Sequence, residues 1–431
     1  MKNWKKQYQH KLVTAAQAAQ HVTSGDRVVI GHACGEPQVL VDALVQRAPE
    51  IQNVEIVHMV AMGKAEYAQP GMEKSFRHNA LFVGGTTRKA VEEKRADFTP
   101  CFFSEVPRLF KEKHLSVDVA LIQVTPPDEK GFCSYGVSAD YTKTAAECAR
   151  VVIAQMNQCL PHTGGERIHL DDLDFIVEQD EPLIELKPPK IGDVEKAIGE
   201  NVARLIPDGA TLQLGIGAIP DAVLLFLADK KDLGIHSEMF SDGVVALAER
   251  GVITNRKKTL HPGKFMATFL MGTKRLYDFV NHNPAVELHS VDYINDPWII
   301  GQHENMISIN SALQVNLMGE VNAEMIGQRQ FSGVGGQVDF IRGASRSSHG
   351  KSIIALPSTA SGGKISRIVC DLDHGAAVTT SRNDVQYVVT EYGVANLRGK
   401  TLRERVRMLI AISHPDFRDS LAQEARERGL L

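Results

Sequence analysis

From Thr211 polar and apolar side chains alternate for four residues, Thr-Leu-Gln-Leu, which predicts a strand, and the chain then turns at Gly215-Ile216-Gly217. Pro220 suits the opening of a helix, where no amide hydrogen is needed, and leads an apolar run that ends at Ala228. After a polar turn over residues 230–234, a second strand is expected over 235–240, stopping at Ser241-Asp242-Gly243. Alternation along it would set Ile235, Ser237 and Met239 on one face and His236, Glu238 and Phe240 on the other. Two neighbouring strands of this kind bring a glycine loop and the Glu238 carboxylate to one sheet edge. In open α/β sheets that edge, outside the carboxyl ends of the strands, is where ligands bind.

The same layout occurs earlier in the chain. Ser24-Gly25-Asp26, a strand at 27–30, the turn Gly31-His32-Ala33-Cys34-Gly35-Glu36-Pro37 and an apolar helix from Val39 stand 184 positions before their counterparts, pairing Gly25 with Gly209 and Gly31 with Gly215. Phe82-Val83-Gly84-Gly85-Thr86-Thr87-Arg88 matches Phe269-Leu270-Met271-Gly272-Thr273-Lys274-Arg275 at 187, and Gly131 matches Gly319 at 188. Three matches in one order, at nearly one spacing, favour a duplicated domain over a short solenoid repeat. The boundary falls in the proline-rich stretch 181–193, giving domains at residues 1–185 and 186–431. Further strands are expected at 54–60, 117–124, 150–156, 306–309, 352–356 and 385–389, separated by amphipathic helices such as 193–205 and 402–412. Such alternation predicts an α/β fold: two similar tandem domains with mostly parallel, helix-covered sheets, and an active site in the cleft between them.

Composition narrows the partners. The 431 residues are 43% hydrophobic and 23% charged, with a net charge of −4, as in an ordinary soluble protein with no basic field for nucleic acid. No apolar run approaches the roughly 20 residues needed to span a bilayer, and the amino-terminal stretch has positive charge without an apolar core, so a cytoplasmic location is expected. Cys34, Cys101, Cys133, Cys148, Cys159 and Cys370 show neither a CxxC pair nor histidines at metal spacing, which suits reduced thiols and no metal site. Cys34 reads as a small packing residue.

The Gly215-Ile216-Gly217 loop lacks the third glycine of a dinucleotide fingerprint, and no GK[ST] follows the second cluster, Gly333-Val334-Gly335-Gly336, so neither nicotinamide binding nor a P-loop is indicated. Each cluster is either a plain turn or a presenter of backbone N–H groups to an anion or to developing oxygen charge. Glu238 is either a strand-end acid in water or a carboxylate nucleophile held against an electrophile. His236 reads as a packing or orienting residue. Ser358 to Lys364 adds small residues and a cation, and Glu391 is a second acid following a strand.

Together the motifs LQLGIGAIPDAV, LGIHSEMFSDG, FSGVGGQVDF and VVTEYGVANLRG, with SGDRVVIGHACGEP, FFSEVP and PPDEKGFCSYGVSADYT, resemble the acetyl-CoA hydrolase/transferase family of CoA-transferases, on the side of the 4-hydroxybutyrate and butyryl-CoA:acetate enzymes. The resemblance runs over essentially the whole chain. It implies that Glu238 is the catalytic nucleophile. It implies that Gly215, Ile216, Gly217, Ala218, Ile219, Leu313 and Gly336 contact CoA, with the amides of Ile216 and Gly336 as oxyanion donors. Glu391 would be the second acid of the acyl site, Asn310 and Lys364 would hold the acyl or CoA end, and the acid's pocket would fall around Gly31, His32, Met59 and residues 103–107. It further implies acyl-CoA and short carboxylates as substrates, no tightly bound cofactor, a homodimer or larger assembly, and ping-pong transfer through a glutamyl-CoA thioester. An acyl-CoA hydrolase on the same residues and a non-catalytic CoA sensor are the competing readings.

Overall fold

The computed structural model describes residues 4–431. They fall into two units, one holding the chain as far as Leu186 with Met266–Ile294, the other holding Lys187–Phe265 with Asn295–Leu431.

In the first unit β1 (Arg27–Ile30), β2 (Val54–His58), β3 (Phe76–Ala80), β4 (Ala96–Phe98), β5 (Val119–Val124), β6 (Val151–Met156) and β7 (Phe175–Glu178) make one sheet in the order β7-β6-β5-β1-β2-β3-β4. Every pairing in it is parallel. Helices cover such a sheet on both faces, which is why β5 is apolar almost throughout and buried at all six positions. Helix α1 (Gln38–Gln46) turns Leu40, Val41, Leu44 and Val45 inward, in one cluster with Val28, Ile30 and Ile56 of the sheet. Strand order reverses between β1 and β5, so the loop holding Gly31 to Pro37 leaves the sheet at a topological switch point.

The second unit repeats this plan with β8 (Thr211–Leu214), β9 (Gly234–Ile235), β10 (Met239–Phe240), β11 (Met306–Ser311), β12 (Lys351–Ala355), β13 (Tyr387–Thr390) and β14 (Gly393–Asn396). Their order is β10-β8-β11-β12-β13-β14, with β9 also alongside β8. Strands β8, β11, β12 and β13 are parallel, and β14 returns antiparallel on β13. The order reverses at β8, which puts the loops after β8 and β11 at this unit's switch point. Helix α2 (Asp193–Ala203) crosses α3 (Ala218–Leu225) backbone to backbone: a Cβ on Gly199 would lie 2.7 Å from the Ala222 carbonyl carbon. Pro220 is the third residue of α3, not its first. It is still in the opening turn, whose amides have no intrahelical acceptor. Helix α4 (Asp242–Glu249) follows β10, and α5 (Gln337–Arg346) is the crossover that leads into β12.

Below α1, the first unit buries an acid. Glu36 is 2% exposed, and its Oε2 accepts the amides of Met62 at 3.1 Å and Gly63 at 2.8 Å. Burial pushes this carboxyl up to about 7, with Asp42 adding to the rise and the two amides opposing it. Between the ordinary value of 4.5 and about 7 the folded protein therefore keeps a proton that the unfolded chain has released. Stability should fall as pH climbs through that window, by up to roughly 3 kcal/mol, and stay lower above it. Glu36→Gln keeps an acceptor for both amides but cannot ionise, so its denaturation midpoint should change less between pH 5 and pH 8 and exceed wild type at pH 8. Parallel pH profiles for the two proteins would refute the assignment.

Candidate active site

The expected strand over 235–240 is broken in two. β9 runs parallel to β8, pairing Ile235 with Leu212, whereas β10 runs antiparallel to it, pairing Met239 with Leu214. Between them the chain bends at Ser237 and Glu238, so the simple alternation of faces read from the sequence does not hold there. Ser237 makes the break possible. Its hydroxyl accepts the Leu214 amide at 3.2 Å and sits 3.3 Å from the Leu214 carbonyl as a donor, supplying from a side chain what a continuous ladder would supply from the backbone. Antiparallel pairing of Met239 with Leu214 then sets Glu238 level with Gly215, at the carboxyl edge of β8.

The Glu238 carboxylate is half-buried and tightly placed. Fully buried Asn295 donates its Nδ2 to Oε2 at 2.9 Å. On another side lies Gly336, where a Cβ would stand 2.0 Å from Oε2, 3.1 Å from the carboxyl carbon and 2.3 Å from Asn295 Nδ2. Gly336 has φ −95°, which any residue can adopt, so glycine is required here by space alone. It is also the N-cap of the ten-residue α5, and the positive end of that helix dipole favours a negative charge at this point. Asn295 spends its amide on the carboxylate while its own Oδ1 is buried with no hydrogen-bond partner among the described residues.

Beside Glu238 the loop after β8 is open. Gly217 has φ +124°, a conformation that L side chains rarely adopt, and it caps α3, whose first residues are Ala218 and Ile219. Gly215, Gly217 and Ala218 are half-buried, Ile219 is buried, and Ile216 is 51% exposed. Across the switch point Asn310 and Gln213 exchange side-chain amide hydrogen bonds at 3.1 and 3.4 Å, tying β11 to β8, and half-buried Leu313 follows β11 with its amide on the Asn322 carbonyl. The fold thus brings Gly215, Ile216, Gly217, Glu238 and Gly336 to one edge, with Leu313 at the end of the adjoining strand.

The remaining expected residues stand on other elements. Glu391 is in the two-residue turn between β13 and β14, three strands along from β8, and its carboxylate takes the Ser358 hydroxyl at 2.5 Å and the Ser358 amide at 2.9 Å. Lys364 ends an exposed turn in which Ser361, Gly362 and Gly363 all have positive φ. In the first unit His32, Met59 and Phe103 are all buried. The His32 Nδ1 lies 3.0 Å from Asp140, its ring meets Phe103 edge-on at 5.5 Å, and the Met59 amide donates to Tyr141, whose ring is 5.5 Å from His32. None of the six cysteines is in a disulfide, and burial pushes the Cys34 thiol up to about 11, as suits a packing residue. Among the described residues no cluster of His, Cys, Asp or Glu could hold a metal ion, and no helix is long and apolar enough to cross a membrane.

Sequence reasoning missed Asn295, 57 positions from Glu238. Nothing local to Asn295 marks it: Asn-Asp-Pro reads as the start of a helix, and Asp296 does cap the short helix Pro297–Ile300. A pairing across such a separation becomes visible only once the sheet is assembled.

Comparison with known proteins identifies the family. The acetyl-CoA hydrolase/transferase N-terminal domain matches residues 1–186, and the acetyl-CoA hydrolase/transferase C-terminal domain matches residues 272–425. The chain is 65% identical over 426 residues to a 4-hydroxybutyrate coenzyme A transferase of Clostridium kluyveri, covering 99% of each. It is 39% identical to a butyryl-CoA:acetate CoA-transferase of Anaerostipes caccae, covering 99% of this chain and 98% of that one. The crystal structure of a 4-hydroxybutyrate CoA-transferase from Porphyromonas gingivalis superposes with a TM-score of 0.86 at 46% identity, over 99% of this chain and all of the other. With the motifs, the doubled parallel fold and full-length identity in agreement, the chain belongs to the acetyl-CoA hydrolase/transferase family, as an enzyme of its CoA-transferase branch.

Proposed function

We propose that this enzyme moves CoA between a short-chain acyl-CoA and a free carboxylate by a two-step, ping-pong route through a glutamyl-CoA thioester on Glu238. The observation that carries the reading is the Glu238 carboxylate fixed between the Asn295 amide and the bare Cα of Gly336, at the amino end of α5. A carboxylate so held has few orientations left, and much of a reaction's entropic barrier is removed when a nucleophile is aimed before substrate arrives.

In the proposed sequence, ionised Glu238 attacks the thioester carbonyl and CoA leaves as thiolate, giving a mixed anhydride of Glu238 and the acyl group. The thiolate then attacks the glutamyl carbonyl, the acid departs as carboxylate, and Glu238 carries CoA as a thioester. A second carboxylate runs the two steps in reverse and leaves as its own CoA ester. Negative charge develops on the carbonyl oxygen in each tetrahedral state, and the amides of Ile216 and Gly336 are the proposed donors to it. Loss of one such donor in other enzymes costs roughly 3 kcal/mol. Gly215, Ile216, Gly217, Ala218, Ile219 and Leu313 would line the CoA side, because they stand around the switch point next to the nucleophile. The acid's pocket would form around Gly31, His32, Met59 and Phe103. By analogy with the relatives, 4-hydroxybutyrate, butyrate and acetate are the acids to try first. CoA acts as substrate, no tightly held cofactor is required by this chemistry, and a cytoplasmic homo-oligomer is the proposed working form.

The deciding experiment is a matrix of acyl-CoA donors against short carboxylates, following both CoA ester formation and free CoA release. Transfer that depends on added acid, with parallel-line kinetics in double-reciprocal plots, is expected; free CoA release unaffected by any carboxylate would make the enzyme a hydrolase instead. Borohydride added after acyl-CoA should inactivate the enzyme by reducing the thioester at Glu238, and Glu238→Gln should be inactive, folded and untouched by the reductant. Gly336→Ala should lower kcat by about 100-fold or more, since its methyl group must displace the carboxylate. Wild-type turnover in that variant would remove Gly336 from the site.

A further inference from the structure

Behind the bend that presents Glu238, the outer edge of β9 is met by backbone at Leu233, which bridges Ile253 in parallel and bonds to the Val252 carbonyl and the Thr254 amide, and by side chains at Ile235. β9 is two residues long and turns the amides of Gly234 and His236 inward, to the carbonyls of Ala210 at 2.9 Å and Leu212 at 3.2 Å. The amide and carbonyl of Ile235 therefore face outward, where an edge strand normally meets water or another strand. Ile235 is fully buried, so both groups need partners from the protein.

Two side chains provide them. Asn255 Oδ1 accepts the Ile235 amide at 2.8 Å, and Lys258 Nζ donates to the Ile235 carbonyl at 2.7 Å. The same ammonium donates to the Lys264 carbonyl at 2.6 Å, closing the loop that contains it. Both residues are buried, Asn255 completely and Lys258 with 4% exposed. The fit is specific, because a Cβ on Gly234 would collide with the Lys258 stem at 2.5 Å. Asn255 itself takes φ +59°, a left-handed conformation that asparagine tolerates better than most residues. Close by, the fully buried His303 ring lies 4.5 Å from the His236 ring at a tilt of 52°, and burial, with Lys258 and His261 adding, pushes His303 down to about 3. His303 is thus neutral.

A buried ammonium is a costly way to fill space that a methionine would fill at no electrostatic penalty. We propose that Lys258, assisted by Asn255, is a positioning residue for the nucleophile: at Ile235 the pair carries on with side chains the edge pairing that backbone makes at Leu233, and so fixes the reversal at Ser237 that aims Glu238. This rests on the reading of Glu238 as the covalent nucleophile. Lys258 acts through the peptide three residues before Glu238, and its loss should appear in the rate of the chemical step more than in substrate affinity.

The test is the single-turnover rate at which wild type and variants gain the mass of CoA after mixing with butyryl-CoA, measured per folded molecule. Lys258→Met should show a native circular dichroism spectrum, a KM for butyryl-CoA within about twofold of wild type, and labelling slowed about 10- to 100-fold. Lys258→Arg, which restores donors to the two carbonyls, should recover part of that loss. Asn255→Gly removes only the acceptor, since glycine keeps the positive φ, and should slow labelling to a smaller degree. Labelling of Lys258→Met at the wild-type rate, with only a lowered melting temperature, would overturn the proposal by showing a purely structural brace. Should Lys258→Met not fold, wild-type labelling of Asn255→Gly would overturn it equally. Absence of label on wild type is a different result: it removes Glu238 as nucleophile, and the positioning role with it.

Discussion

The contact between Glu238 Oε2 and the place where Gly336 lacks a side chain is the constraint on which the second unit's architecture turns. A carboxylate 2.0 Å from a would-be Cβ admits no residue larger than glycine, yet the backbone angle at Gly336 would suit any of them. For that contact to exist, α5 must begin at the carboxyl edge of the sheet, and the strand carrying Glu238 must bend toward it. The first condition follows from a parallel sheet, whose crossover helices start where strands end or run back from there. The second is against the habit of a strand and has to be enforced by Ser237 from inside the sheet and by side chains from outside it.

The two units show how one duplicated layout can serve different chemistry. Each places a glycine-containing turn at its switch point, after β1 and after β8. In the second unit the turn is open: Ile216 is half exposed and the nearby acid keeps contact with solvent. In the first unit the turn is closed over. His32 is 1% exposed against Asp140, which is itself fully buried and accepts the Ser138 hydroxyl at 2.6 Å and the amides of Tyr141 and Thr142 at 2.7 and 3.2 Å. Such a saturated buried carboxylate is rigid, because moving it would strand several donors at once.

How much of this could be read from the chain follows from the range of each signal. Strand and helix positions were legible because burial leaves period-two or unbroken apolar runs, as at 119–124 and 151–156, and those depend only on sequence neighbours. Gly217 was legible as a turn, and Glu238 was legible as an acid at a strand's end, where the family motif picked it out. The break at Ser237 was not, because His-Ser-Glu-Met alternates as well as any strand; only the hydroxyl's two bonds to Leu214 show why the ladder stops. Asn295 and Lys258 were hidden for a related reason. A lysine in a polar loop reads as a solvated charge, and only the assembled fold reveals two carbonyls waiting for it.

Glu36 and Glu238 put the same side chain to opposite uses, and the difference lies in solvent. Glu36 receives two backbone amides, which favour the anion, and is still pushed up to about 7 because burial outweighs them. A nucleophile treated in that way would spend much of its time protonated at neutral pH and could not attack a thioester. Glu238 is instead half-buried, with a donor on one oxygen and a helix amino end beside it. Water lies on one side of the carboxylate, and protein on the other removes its freedom to turn. On the proposed mechanism Glu238 has to stay incompletely buried, and the burden of immobilising it passes from enclosing walls to the few contacts at Asn295, Gly336 and the bend at Ser237.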